Sequence, residues 1–295
     1  MSNAWLRRYL DTQAASLQSR ILDEFRKPGW QSALRACFFI IASRAGCREF
    51  RFPLFGYPFR TRGNRRKLGI DGLVYARREE YESALKQYFR LQAAESTFLD
   101  IGANYGYWSR FVLTDSQARG IDNVKIISFE PMPANYELLV ENMLQVRDSQ
   151  HHVRCEQLAV GSEAGTCFLN TSNSDPGSTF AADSGDVQCR VVTIDDYVGR
   201  YGLRNVALMK IDVEGFELRV VRGARKTIQR DRPRVICEVL PDYLARAGTC
   251  PRELFDEMTS LGYWHHPVSD TDYLFEPEAE SNTRSQQQVF DRATV

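Results

Sequence analysis

From Thr97 onward, short apolar runs alternate with stretches whose apolar residues recur every three or four positions. The runs at 97–101, 125–129, 153–159, 206–211 and 234–239 predict strands; the periodic stretches at 105–116, 133–146 and 215–230 predict helices. Strands separated by helices in this way form a parallel sheet covered on both faces. Two stretches depart from that rhythm. Residues 164–193 read as a hairpin, "GTCFLN" and "VQCRVVT" around the loop "TSNSDPGSTFAADSG", and "GYWHHPVSDTDYLFE" at 262–276 reads as an antiparallel edge pair.

Upstream the pattern is different. Leu6, Leu10, Leu17, Ile21 and Phe25 place a helix over 5–25 that Pro28-Gly29 stops, and a second helix runs through residue 44. The stretch from Phe50 to Tyr75, rich in aromatics, Gly and Arg, predicts short strands and turns; residues 78–92 predict a helix. The chain therefore divides into an N-terminal extension (1–92), an α/β domain (93–276) and a polar tail (277–295).

Composition narrows the class. With 43% hydrophobic and 12% aromatic residues, the chain reads as an ordinary globular protein. The longest apolar stretch, "ALRACFFIIASRAG", carries Arg35 and Arg44 and is too short to span a bilayer. It also sits too far from the N-terminus to be a signal peptide, so a cytoplasmic location is expected. Seven cysteines at irregular spacing, without a C-x-x-C pair, make neither a disulfide framework nor a zinc site. The formal charge of zero conceals an asymmetry: residues 1–78 hold 16 Lys+Arg against 5 Asp+Glu, a net of +11, and the remainder balances it. This basic block either docks on the acidic domain or meets an anionic surface such as a membrane.

"LDIGANYGYW" (99–108) follows the first predicted strand and opens a helix, where open α/β sheets bind ligands. Gly102 and Gly106 allow positive φ and close approach of a ligand; Asn104 tolerates the same region and adds a polar side chain. The dinucleotide pattern G-x-G-x-x-G is broken, because Asn104 takes the second glycine position and the third glycine falls one residue early. Asp100, just before the turn, would repel a pyrophosphate and suits a cationic or neutral ligand. Glu130 ends the next strand in "ISFEPMP", where it can accept from two ribose hydroxyls, and Pro131 stiffens the exit. An adenosine bearing a positive sulfonium satisfies both acids, which points to S-adenosylmethionine.

"FLDIGANYGYWS", "ISFEPMPANYELLVENM", "LAVGSEAGTCFLN", "VVTIDDYV" and "LMKIDVEGFELRVVRGA" together resemble the FkbM family of S-adenosylmethionine-dependent methyltransferases over residues 96–240. The resemblance implies a Rossmann-like, seven-stranded class I methyltransferase sheet, mostly parallel, whose last two strands form the hairpin at 262–276. It implies methyl transfer to a hydroxyl of a sugar, glycan, glycolipid or secondary metabolite. A small-molecule or glycan acceptor is therefore expected, with no nucleic acid. Asp100, Gly102, Asn104, Gly106, Glu130, Pro131 and Ala159 are the expected cofactor-binding residues.

"KIDVEGFE" brings Asp212 and Glu214 out at the sheet's carboxyl edge beside that cofactor. Asp212 is the first candidate to orient or deprotonate an acceptor hydroxyl, Glu214 the second, and Lys210 their charge partner. The competing reading makes these acids helix caps. No histidine or third acid completes a metal site, and no metal is expected. Asn173, Ser178 and Thr179 in the 171–184 loop offer hydrogen bonds to an acceptor, and Thr193 with Asp196 reads as a helix cap. His151-His152 reads as surface. Two rival functions remain: a nicotinamide oxidoreductase, against which the broken glycine pattern counts, and a non-catalytic methyltransferase-like binding module.

Overall fold

A computed structural model of the chain describes residues 49–62, 84–170, 180–182, 185 and 187–278. The helices expected before residue 45, the tail, and the acceptor candidates Asn173, Ser178 and Thr179 lie outside the described residues.

Strands β1 (Glu49–Leu54) and β2 (Tyr57–Arg62) form an antiparallel hairpin, and a 3-10 helix covers Leu85–Phe89. The domain proper then runs β3 (Thr97–Ile101), α1 (Tyr107–Arg119), β4 (Lys125–Phe129), α2 (Pro133–Leu144) and β5 (His152–Glu156). Next come β6 (Ala159–Val160), β7 (Gly165–Asn170), β8 (Phe180–Ala182), β9 (Val187–Val192) and α3 (Ile194–Arg200). The chain continues through β10 (Val206–Ile211), α4 (Glu217–Gly223), α5 (Arg225–Asp231), β11 (Arg234–Glu238), α6 (Pro241–Arg246) and α7 (Pro251–Ser260), and ends on β12 (Tyr263–Pro267) and β13 (Asp272–Pro277).

The seven-stranded sheet has the order β12-β13-β11-β10-β3-β4-β5. Strands β11, β10, β3, β4 and β5 are parallel, and β13 runs antiparallel to both β11 and β12. This is the class I methyltransferase sheet. Strand order reverses between β3 and β10, so their carboxyl ends flank the crevice where such sheets bind ligands. Side chains alternate across the pleat: Leu99 and Ile101 enter one core with Met209, Ile211 and α3–α5, while Phe98 enters the other with α1, α2 and the β1–β2 hairpin.

Several expectations change. The run 153–159 breaks in two: β5 ends at Glu156, whose carbonyl accepts from Glu130 N–H at 3.0 Å, and Ala159–Val160 join a second sheet of order β6-β9-β7-β8. In that sheet Cys167 and Cys189 sit directly opposite, as free thiols with Sγ atoms 3.2 Å apart. The helix expected at 215–230 is two helices. Gly223 packs against the Gly161 carbonyl with no room for a Cβ, and α5 restarts where Asp195 accepts from the amides of Lys226 (3.0 Å) and Thr227 (2.8 Å). Within 84–92, the expected helix is only the single 3-10 turn. Helices α6 and α7 were not expected; each opens with proline in its first turn, and Glu253 closes a capping box on Cys250. His151 is buried rather than on the surface, because its ring is held between Asp148 and the Ile121 carbonyl at 2.9 and 3.0 Å. Thr193 does cap α3, accepting from Asp196 N–H at 3.0 Å. Among the described residues, no helix is long and apolar enough to cross a membrane.

Candidate functional site

The turn after β3 is built from three positive φ angles: +83° at Gly102, +51° at Asn104 and +86° at Gly106. The amides of Gly102 and Ala103 both donate to the Phe129 carbonyl, at 3.0 and 2.9 Å, which ties the turn to the end of β4. Gly102 lies against the exit of β10, where a Cβ would fall into the Asp212 carbonyl, and Asp212 N–H donates to the Ile101 carbonyl at 3.0 Å. Gly106 also has a packing reason: its Cβ would sit 2.7 Å from Leu139 Cδ1 on α2.

Two acids face this turn. Asp100 is 1% exposed, and its Oδ2 accepts from Ser109 N–H (3.0 Å) and Ser109 Oγ (2.6 Å); that hydroxyl also bonds Ser128 Oγ at 2.6 Å. Its Oδ1 is buried without a partner, as is Oδ1 of Asn104. Burial pushes the Asp100 carboxyl up, against the pull of Lys210 and Ser109. Glu130 is 6% exposed and accepts from the amides of Met132 and Asn104, both at 2.9 Å. Burial outweighs those two bonds and lifts Glu130 to about 7. Pro131 follows it, half-buried; Ala159, on β6, packs with Met132 at the edge of a small cluster around Leu169 and Cys189.

A second group forms at the exit of β10. Lys210 stands in register beside Asp100, is buried, and donates to Asp212 Oδ2 at 2.8 Å. Glu214 adopts φ +57°, and its Oε2 is buried without a partner. Burial, then the charges of Asp212 and Glu217, raise Glu214 to about 8. Glu238, at the end of β11, is raised to about 9 by burial and then by Asp212 and Glu214. Glu217 Oε1 accepts from the amides of Val213 (3.1 Å) and Gly215 (3.0 Å), so it shapes the loop that carries Asp212 and Glu214.

The strand ends thus bring Asp100, Gly102, Asn104, Gly106 and Glu130 into one turn and Lys210, Asp212 and Glu214 into the next, with Gly102 and Asp212 in contact. Ser109, Glu217 and Glu238 were not among the sequence candidates. Ser109 and Glu217 are the last residues of the two motifs, but their partners, the Asp100 carboxyl and the Val213 and Gly215 amides, are set only by the fold; Glu238 ends an apolar run. Among the described residues, no group of three His, Cys, Asp or Glu is arranged to hold a metal ion.

An FkbM methyltransferase domain matches residues 100–264, more than half of the chain. The chain belongs to the FkbM methyltransferase family. It is 28% identical over 158 residues to methyltransferase sdnD of Sordaria araneosa, an alignment covering 42% of this chain and 59% of that one. It is 27% identical over 152 residues to methyltransferase 1 of Beauveria bassiana, covering 44% and 58%. The match thus spans less than two thirds of these curated relatives. Among solved structures, it is similar to an FkbM methyltransferase from Methylobacillus flagellatus, with TM-score 0.40, 20% identity, and coverage of 63% of this chain and 44% of that one. It is also similar to M. jannaschii TYW2 in complex with AdoMet, with TM-score 0.37, 12% identity and coverage of 78% and 87%.

The residues of this FkbM chain fit S-adenosylmethionine, the cofactor of such enzymes. The partnerless Oδ1 atoms of Asp100 and Asn104 are buried acceptors suited to its ammonium group, and Glu130 keeps lone pairs free for ribose hydroxyls.

Proposed function

We propose that this FkbM protein is an S-adenosylmethionine-dependent O-methyltransferase acting on a hydroxyl of a sugar, glycan or glycolipid, or secondary metabolite. One observation carries the reading: Asp212, ion-paired with Lys210, lies backbone to backbone against the cofactor turn. A general base is thereby held beside the place where a methyl group would be presented.

S-adenosylmethionine supplies an electrophilic methyl carbon on a sulfonium. Asp100 and Asn104 would accept from its ammonium group, and Glu130 would accept from the ribose. Lys210 holds the Asp212 carboxyl in place through a 2.8 Å contact to Oδ2. Asp212 would accept the proton of an acceptor hydroxyl whose oxygen faces that methyl carbon, with S-adenosylhomocysteine as the leaving group, and Glu214, once ionised above about pH 8, would share the proton. Positioning supplies most of the rate, and the base a smaller share.

Calorimetric titration with S-adenosylhomocysteine and with NAD tests the cofactor, and transfer of a labelled methyl group into glycan and metabolite extracts tests the reaction. Micromolar binding of S-adenosylhomocysteine with label on an alkoxy carbon is expected. Binding of NAD instead would return the fold to the oxidoreductases. Cofactor binding with label arriving on nitrogen or carbon would overturn O-methylation.

A further inference from the structure

The β1–β2 hairpin precedes the stretch that the FkbM domain matches, yet it reaches the cofactor turn through one buried side chain. We propose that Asn142, on α2, is a positioning residue of the cofactor site, through which this hairpin holds the turn in its binding shape. Asn142 is 1% exposed. Its Oδ1 accepts from Arg60 N–H at 2.8 Å, and its Nδ2 donates to the Arg60 carbonyl at 2.9 Å and to the Tyr105 carbonyl at 2.8 Å. It pairs with Arg60 as a neighbouring strand would, and spends its remaining proton on the turn.

Tyr105 lies between two residues of positive φ, Asn104 and Gly106. Asparagine tolerates the left-handed region, so the turn has no single enforced shape of its own and is set by what holds it. Here Glu130 grips the Asn104 amide on one side and Asn142 grips the Tyr105 carbonyl on the other. The hairpin itself is firmly seated. Leu54 and Phe59 are buried, Arg110 donates to the Pro58 carbonyl at 2.8 Å, and Arg60 pairs with Glu141. The Phe55 ring lies 5.4 Å from those of Tyr107 and Phe111, on the first turns of the helix that follows the cofactor turn. Hairpin docking and turn geometry therefore share Asn142, and linkage requires a ligand that tightens one to tighten the other.

The inference rests on the cofactor reading above, and one experiment separates the two. The full chain and its Asn142→Ala variant are titrated with S-adenosylhomocysteine, and amide exchange over residues 54–61 is followed with and without the ligand. The unaltered chain should bind, and the ligand should slow exchange in the hairpin. Asn142→Ala, which leaves a buried carbonyl unpaired, should bind about tenfold more weakly and lose that protection. Two results would overturn the inference while leaving the cofactor reading intact: a bound, unaltered chain whose hairpin exchanges as before, or a variant that binds as well as the parent. If Asn142→Ala does not fold, the exchange of the unaltered chain decides alone. An unaltered chain that does not bind at all overturns both.

Discussion

Replacing Glu130 by glutamine separates two roles of one carboxyl. Glu130 is 6% exposed and is raised from 4.5 to about 7. In the unfolded chain it ionises near 4.5; in the fold it keeps its proton until about pH 7. Between those values the unfolded state binds fewer protons than the native state, so stability falls as pH rises and levels off above pH 7. At about 1.4 kcal/mol per pKa unit, the loss attributable to Glu130 is about 3 kcal/mol. Glutamine cannot titrate. Its carbonyl can take one of the two amides now bound, Met132 or Asn104, and its NH2 leaves the other unpaired, at a cost of roughly 1–3 kcal/mol. Glu130→Gln should therefore be less stable than the parent at pH 5 and match or exceed it by pH 8. Urea denaturation at intervals from pH 5 to 8.5, without cofactor, reads both slopes. Glu214 and Glu238 are raised too and steepen both curves equally, so the difference isolates Glu130. Parallel curves would refute the burial of an acid at this position.

Asp212→Asn should slow methyl transfer by about 10²–10⁴-fold while leaving S-adenosylhomocysteine affinity within about threefold, by calorimetry beside a labelled-methyl assay. Gly102→Ala should destabilise the fold by more than about 2 kcal/mol in urea and remove cofactor binding, because its Cβ has only the Asp212 carbonyl to occupy and φ is +83°. Ser109→Ala removes the hydroxyl bonded to both Asp100 and Ser128, which raises the Asp100 carboxyl further. As pH is lowered, that variant should lose cofactor affinity at a higher pH than the parent does. The rate of methyl transfer should rise with pH through about 8, where Glu214 ionises, and Glu214→Gln should shift that limb.

The central strands β3, β4, β10 and β11 were legible because each is a largely apolar run covered on both faces, and β3, β4 and β10 begin and end where the hydrophobic pattern does. Both site motifs were legible for a related reason. A strand end that turns on glycine beside an acid is costly unless a ligand or a close backbone approach requires it. Elsewhere local pattern was not enough. Residues 153–159 look continuous, and only the pairing of Ala159 with Val191 shows that the chain has changed sheets. Periodicity carries straight through Gly223, whereas the break there comes from the Gly161 carbonyl, more than sixty residues away in sequence. His151 reads as surface because its partners, Asp148 and the Ile121 carbonyl, meet it only in the fold.

The same distinction separates the two kinds of residue at the site. Asp100, Glu130 and Asp212 announce themselves because each is an acid at a strand end followed closely by a glycine or proline turn. Ser109, Glu217 and Asn142 do not, because each works on the backbone or side chain of a residue already marked by its motif. Their effect is to hold strained or buried groups that would otherwise relax: a doubly bonded Asp100, a loop carrying Glu214 at φ +57°, a turn carrying Asn104 at φ +51°. In this FkbM chain the left-handed residues Asn104 and Glu214 fall at the ends of β3 and β10, on either side of the crevice where Gly102 touches Asp212. The two motifs are more than one hundred residues apart in sequence, and the switch in strand order makes them neighbours. The turn after β3 and the loop after β10 are thus joined backbone to backbone, so that a shift of either displaces the other.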